Sequence, residues 1–471
     1  MRQRANLTLD LRLKPLDSLM PLNVLIIPDK FKGTLTARAA AEAIARGWRK
    51  ARAGDSLSLL PMSDGGDGFG EVTSALLKAK IQRAKTVDAA HRPCSARWWW
   101  EPRTRTAIVE SAAVIGLAML PPRQGCVTPP GPRAVPARNA QKDLQVLHAP
   151  GDSGVGGAAA SREGSRSGIA HDAGLPPQGF HPFQLDTFGL GAVVRAAARR
   201  GARRCRMGIG GSATNDGGFG LARALGWEFL DGEGEPIGQW TELGRLARIR
   251  APQRRRWFNH IVVATDVRNR LLGRRGATRV YGPQKGLRPQ DFSLAERCLG
   301  RLACVVRKQI GHDFAREPGA GAAGGLGFGL LAFLGAELQP GFDLFARQAA
   351  LERHLGAADL VVTGEGAIDC STLMGKGVGQ IAQRCRQLNI PCIGLAGMVS
   401  ANLEEGALFT QAYGLTELTT VTQAKAKPAY WLERLARMAA AQKSEGRRPK
   451  AERRPKTEIR NGPEGVVRSP A

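Results

Sequence analysis

Residues 210–218 read Gly-Gly-Ser-Ala-Thr-Asn-Asp-Gly-Gly, between the apolar run Met207-Gly208-Ile209 and a helical pattern that begins at Phe219. A glycine-rich turn between a strand and a helix lets backbone N–H groups approach a phosphate, and the helix N-terminus adds positive potential. Gly210, Gly211, Ser212, Thr214 and Asn215 are therefore candidates for holding an anion. The spacing is neither that of a Walker A loop nor that of a GxGxxG fingerprint. Taken alone, it also suits a structural helix start capped by Ser212, Thr214 or Asn215.

The same arrangement recurs. The run 22–28 ends in Asp29-Lys30-Phe31-Lys32-Gly33, and Lys30 and Lys32 could face phosphate oxygens or remain solvated loop lysines. The run 57–62 enters Ser63-Asp64-Gly65-Gly66-Asp67-Gly68. Asp64 and Asp67 could hold Mg²⁺, which takes carboxylates together with substrate phosphates, or they could serve the turn and the helix cap. The run 106–110 ends in Glu110, and the run 261–267 delivers Asp266, a carboxylate for a substrate hydroxyl or a metal, shortly before Asn269. The run 359–363 leads into Gly364-Glu365-Gly366 and on to Asp369 and Lys376, with Lys376 a further phosphate contact. Five or more such turns in one chain argue for a single shared cleft. Glycine donors, lysines and carboxylates together suit phosphoryl transfer.

Apolar runs alternating with helical patterns predict an α/β protein, in which ligands collect outside the carboxyl ends of the strands. Strands are expected at 22–28, 57–62, 85–90, 94–100, 106–110, 261–267, 359–363, 391–397 and 417–421. Helices are expected at 37–49, 69–80, 192–200, 289–311 and 430–442. Residues 121–180, rich in Pro, Gly, Ser and Arg, read as a disordered insertion. Residues 1–19 read as a disordered extension or an overcalled start ahead of Met20, and 442–471 as a disordered basic tail.

The chain has 471 residues with 68 Lys and Arg against 41 Asp and Glu, a formal charge of +27. Such charge can serve nucleic acid, but the basic residues are scattered and lack the aromatic interleaving of a single-strand platform. An anionic small substrate accounts for it better. No stretch holds the roughly 18 apolar residues a membrane span needs. The 8 cysteines form no CxxC pair, which favours reduced thiols in a cytoplasm over disulfides or zinc.

The stretches PDKFKGTLTA (28–37), MSDGGDG (62–68), GIGGSATNDGG (208–218), ATDVRNRLLG (264–273), YGPQKG (281–286), GAGAAGGLGFG (319–329) and TGEGAIDCSTLMGK (363–376) resemble, in order, those of the glycerate kinase type-1 family. The resemblance covers about residues 20–440 apart from the insertion, and the basic tail lies outside the family pattern. It implies ATP- and Mg²⁺-dependent phosphorylation of D-glycerate to 2-phosphoglycerate, with the 3-hydroxyl as the alternative position. It implies two α/β domains with the active site in the cleft between them. One is Rossmann-like or flavodoxin-like and built from both chain ends (20–62 and 288–441); the other is inserted at 63–287. Within that frame Asp216 or Asp266 is expected to be the base. Lys32, Lys285 and Lys376 would neutralise phosphate or the substrate carboxylate, and Asp64, Asp67 and Glu365 would position Mg²⁺. Gly364 and Gly366 would join the phosphate turns, and Asp29, Lys30 and Asn269 would meet the substrate. A homodimer is compatible with this reading.

Overall fold

The computed structural model describes residues 20–120, 180–369, 372, 377–400 and 408–445. The expectations for 1–19, for 121–179, for Lys376 and for the tail beyond 445 lie outside the described residues. The helix Pro428–Glu445 runs past 442, where the tail was expected to start.

Five parallel strands form the first sheet, in the order Gln411–Gly414, Cys392–Val399, Leu360–Ile368, Asn23–Pro28, Ser56–Leu59. Numbered along the chain, this is the flavodoxin-like order 2-1-3-4-5. The run Val24-Leu25-Ile26-Ile27 shows why a continuous apolar stretch becomes a parallel strand: both of its faces are covered. Val24 and Ile26 pack into the core beneath the helices Ala37–Ala51 and Pro428–Glu445. Leu25 and Ile27 pack into the opposite core with Phe342, Phe345 and Ile381. Thr36 caps the first of those helices by accepting from the Ala39 N–H at 3.2 Å. The expected strand at 417–421 is instead a turn and the start of the helix Val421–Ala426. The Thr420 hydroxyl accepts from the Gln423 N–H at 3.3 Å, which favours helix entry over a ladder. The edge strand on that side is Gln411–Gly414, and Ser56–Leu59 forms the other edge.

The second sheet has six strands, ordered Glu337–Pro340, His260–Thr265, Arg204–Gly208, Thr106–Glu110, Pro93–Glu101, Lys80–Val87. The first four run parallel and the last two pairings are antiparallel. The triplet Trp98-Trp99-Trp100 follows the period of two: Trp98 and Trp100 enter the large core on one face, and Trp99 enters a smaller one with Phe69 and Ile108 on the other.

The changeover expected at 287/288 falls instead near Pro340–Gly341. The helices Phe292–Ile310 and Ala322–Leu334 supply Leu299, Leu302, Leu326 and Phe328 to the core of the six-stranded sheet, and Glu337–Pro340 is one of its strands. The chain therefore passes between the sheets twice, through residues 60–63 and at Pro340–Gly341. These passages touch: a Cβ at Gly341 would lie 1.6 Å from the Asp64 carbonyl oxygen. Among the described residues no helix is long and apolar enough to cross a membrane.

Candidate active site

In the five-stranded sheet the chain order reverses between Asn23–Pro28 and Leu360–Ile368, where a crevice opens at the carboxyl ends. Asp29 and Lys30 follow directly from the first of these strands. The Asp29 carboxylate accepts from the Lys30 N–H at 2.7 Å, and the Lys30 ammonium donates to the Asp67 carbonyl at 3.0 Å. Burial works against the charge on Lys30, but Asp64, Asp29, Asp67 and Asp266 around it override that and raise its pKa. Asp29 is only 8% exposed. Burial, reinforced by the charge of Asp64, pushes its carboxyl up to about 8.

Asp266 comes to the same place from the other sheet, at the end of His260–Thr265. Its carboxyl keeps an exposed face on the cleft, yet protein crowds it on the remaining sides. That crowding, with the charge of Asp64 next, raises its pKa well above the ordinary aspartate value of 3.8. Asp64 lies within hydrogen-bonding range of Asp266. The structure thus gathers Asp29, Asp64 and Asp266 about Lys30.

The expected metal trio of Asp64, Asp67 and Glu365 does not close on one point. Among the described residues no three His, Cys, Asp or Glu side chains form a ready metal cage. Asp67 lies against the 210–211 turn, where a Cβ on Gly211 would come within 1.9 Å of Asp67 Oδ1. Glu365 accepts from the Thr372 hydroxyl at 2.7 Å. The carboxylates that do approach one another are Asp64 with Asp29 and Asp266; they are oxygen donors of the kind Mg²⁺ takes when phosphate oxygens and water complete its shell.

The glycine turn at 210–218 divides into two parts. Gly210, Gly211 and Ser212 line a cavity of about 730 Å³ together with Asp67, Asp266 and Lys285. The two glycine turns meet there, the Gly210 N–H donating to the Gly65 carbonyl at 3.2 Å. Gly211 has a φ of +76°, the left-handed region that favours glycine. Lys285 is 3% exposed and donates to Ser212 Oγ at 3.2 Å and to the Thr214 carbonyl at 2.6 Å. Burial brings its pKa down to about 7, with Asp216 pulling the other way.

Thr214, Asn215 and Asp216 turn away from the cleft and are fully buried. The Asn215 amide donates to the Thr278 hydroxyl at 3.1 Å. The Asp216 carboxylate accepts from Thr187 N, Thr187 Oγ1, Gly218 N and Gly220 N at 2.7–3.2 Å. It therefore fastens the start of the helix Phe219–Ala224 and does not meet a substrate, which corrects its expected role as a base. Burial raises its pKa to about 6, against those hydrogen bonds.

Gly364 and Gly366 are likewise not a phosphate turn, because the strand continues to Ile368. Gly364 makes room for the neighbouring backbone, since a Cβ would lie 2.1 Å from the Leu395 carbonyl oxygen. Gly366 sits beside the 31–32 turn. Asn269 acts at one remove. It accepts from the Tyr281 hydroxyl at 2.6 Å and donates to the Arg275 carbonyl at 2.7 Å, and it is Tyr281 that lines the cavity. Lys32 is exposed and borders both this cavity and a smaller one of about 280 Å³ that Asp29 and Lys30 line. Glu110 accepts from the Gly68 and Gly70 N–H groups at 2.8 and 2.9 Å, which fixes the helix Phe69–Leu77.

Ser95, Arg97 and Trp99 also line the large cavity, and motif reading passed over them. The alternation in Pro93–Glu101 was the available signal. Ala96, Trp98 and Trp100 face the core, so Ser95, Arg97 and Trp99 must face the other way.

Comparison with known proteins agrees with this architecture. A family model described as the glycerate kinase family matches residues 24–128 and 165–443. A glycerate kinase of Bacillus subtilis (strain 168) is 33% identical over 429 residues, spanning 89% of this chain and 97% of that protein. A glycerate 2-kinase of Escherichia coli (strain K12) is 31% identical over 382 residues, 80% of this chain and 86% of that protein. A crystal structure described as a glycerate kinase 2 from Salmonella typhimurium LT2 superimposes with a TM-score of 0.66 at 29% identity. It covers 90% of this chain and 99% of that one.

Proposed function

The chain belongs to the glycerate kinase family, and from that premise we propose that it transfers the terminal phosphoryl group of ATP to the 2-hydroxyl of D-glycerate, with Mg²⁺ as the metal. The observation that carries this reading is the convergence of Asp29, Asp64 and Asp266 on Lys30, where the carboxyl ends of both sheets face one another. Asp266 is the general base. It opens onto the cleft, and its raised pKa makes it a better proton acceptor than an ordinary aspartate. The hydroxyl oxygen bonds to the γ-phosphorus, the bond from that phosphorus to the bridging oxygen breaks, and the hydroxyl proton passes to Asp266. Lys30, Lys32 and Lys285 balance charge on the transferring group and on the carboxylate of the acid.

Four carboxylates, Asp29, Asp64, Asp67 and Asp266, act on the Lys30 ammonium, and Glu365 adds its charge at Asp29. Their mutual repulsion suits a divalent cation, with Asp64 as the first ligand. Bound there, Mg²⁺ would neutralise phosphate charge. The large cavity suits a nucleotide with a small acid beside it. Six free cysteines among the described residues support a reducing cytoplasm.

A coupled assay for ADP release with D-glycerate, with and without Mg²⁺, tests the reading, and phosphorus NMR of the product identifies the hydroxyl. Absence of glycerate-dependent ADP release would end it. A 3-phosphoglycerate product would overturn the choice of the 2-hydroxyl alone.

A further inference from the structure

The strands Lys80–Val87 and Pro93–Glu101 are antiparallel, and their register sets Arg83 directly opposite Arg97 and Lys85 directly opposite Ser95. Residues directly opposite share one face with Cβ atoms roughly 5 Å apart, and like charges placed so destabilise the pair. The adjoining strand Thr106–Glu110 brings the Glu110 carboxylate toward them, but it accepts from the Gly68 and Gly70 N–H groups, and no carboxylate of the two paired strands offsets the cations on that face. Its side chains in the first strand are Ile81, Arg83, Lys85 and Val87, and in the second Pro93, Ser95, Arg97 and Trp99. Glu101, at the far end, is taken up by Arg103 and Thr104. Among the described residues Arg83, Lys85 and Arg97 have no hydrogen-bond or ion-pair partner. Both arginines are exposed, so the fold does not require a cation at either position.

Arg97 borders the 730 Å³ cavity between Ser95 and Trp99. A guanidinium on a strand, pre-aimed into a cleft and backed by a second guanidinium, is a site for a multiply charged anion. Building on the functional reading above, we propose that Arg97, supported by Arg83, binds the triphosphate of the nucleotide against this wall. The triphosphate fits better than the organic acid. Glycerate carries a single charge and has to lie with its hydroxyl at Asp266, whereas the nucleotide brings several charges and fills most of the cavity. The facing arginines then weaken the empty sheet and are relieved when phosphate lies between them.

Three full-length variants test this: Arg97→Gln, Arg97→Lys and Arg83→Glu. Arg97→Gln is expected to raise the KM for ATP by about ten- to a hundredfold, the loss of a charge-assisted contact, with the KM for glycerate unchanged. Arg97→Lys should fall in between, because it keeps the charge and loses the fork. Arg83→Glu should pair with Arg97 across the strands, raising the unfolding temperature while weakening ATP binding. A structural role predicts the reverse, with the unfolding temperature falling in Arg97→Gln and in Arg83→Glu. That result, an unchanged KM for ATP in Arg97→Gln, or a loss confined to the KM for glycerate would each overturn the proposal. Calorimetric titration of MgATP into wild type and Arg97→Gln separates this proposal from the functional reading. If wild type binds MgATP and fails to phosphorylate glycerate, the reading of function falls while the arginine site stands or falls on the variant's affinity.

Discussion

The Thr187 hydroxyl donates to Asp216 Oδ2 at 2.7 Å, inside the protein and away from the cleft. This contact, with three backbone N–H groups on the same carboxylate, ties the turn before the helix Leu190–Arg199 to the start of Phe219–Ala224. Asp216→Ala should therefore lose stability, by about 3 kcal/mol, since it leaves several buried donors unpaired. Asp216→Asn, which keeps one acceptor, should lower the unfolding temperature and leave kcat within a few-fold. A collapse of kcat in a folded Asp216→Asn variant would return this residue to the chemistry.

Asp266→Asn should behave in the opposite way. Removing a general base typically costs about 10²–10⁴ in kcat, and easing the like-charge crowding with Asp64 should not cost the fold stability. With burial and Asp64 holding the Asp266 pKa high, kcat/KM in wild type should rise with pH through an inflection well above the 3.8 of an unperturbed aspartate. An inflection at the ordinary value, or near-normal turnover in the variant, would remove Asp266 from that role.

Lys285 sets a pH dependence of stability. Its folded pKa is lowered to about 7 from 10.5, so between those values the unfolded chain binds more protons than the folded one. Stability from this site rises with pH across that window, and the cost is fully present below it. Asp216 acts in the opposite sense, because its folded pKa is raised to about 6 from 3.8. There the folded state binds more protons, and stability falls as pH rises from 3.8 to 6. Lys285→Met should abolish the upper rise, as read from denaturant midpoints compared at both ends of the window. An undiminished rise in that variant would assign it to other groups.

Two glycine substitutions separate activity from folding. A Cβ at Gly66 would lie 2.6 Å from Lys30 Nζ, the free end of a flexible side chain. Gly66→Ala should fold normally and displace the ammonium, with a loss of about a hundredfold in kcat/KM. At Gly211 the φ of +76° combines strain with collision, since an added Cβ would lie 1.9 Å from Asp67 Oδ1. Gly211→Ala should lower both stability and activity. Equal thermal stability of the two variants would contradict this contrast.

Chelation offers a direct check on the metal. Stripping divalent ions should abolish turnover, and added Mg²⁺ should restore it. Activity that survives complete chelation would show that the carboxyl cluster serves another purpose.

Much of this was legible in the residues. Apolar runs and glycine turns located the central strands of both sheets, because burial on both faces and strand-to-helix turns leave local marks, whereas the short edge strands Glu337–Pro340 and Gln411–Gly414 went unexpected. Asp29, Lys30, Asp64 and Asp266 stood out for that reason, and the structure brings them together. Asp216 was misread because an acid that caps a helix and an acid that takes a proton share the same local context; only the partner Thr187, 29 residues away, distinguishes them. Gly364 was misread because its need is also distant, the backbone of Leu395. The boundary near Pro340 was missed because helices look alike whichever sheet they cover. Arg97 carries no motif, and its meaning depends on facing Arg83 across a hairpin.

The two passages between the sheets meet where Gly341 abuts Asp64, so a proposed metal ligand sits on one backbone link between the layers with the other link pressed against it. A side chain added at position 341 would therefore disturb the spacing of the sheets and the proposed counter-ion site together.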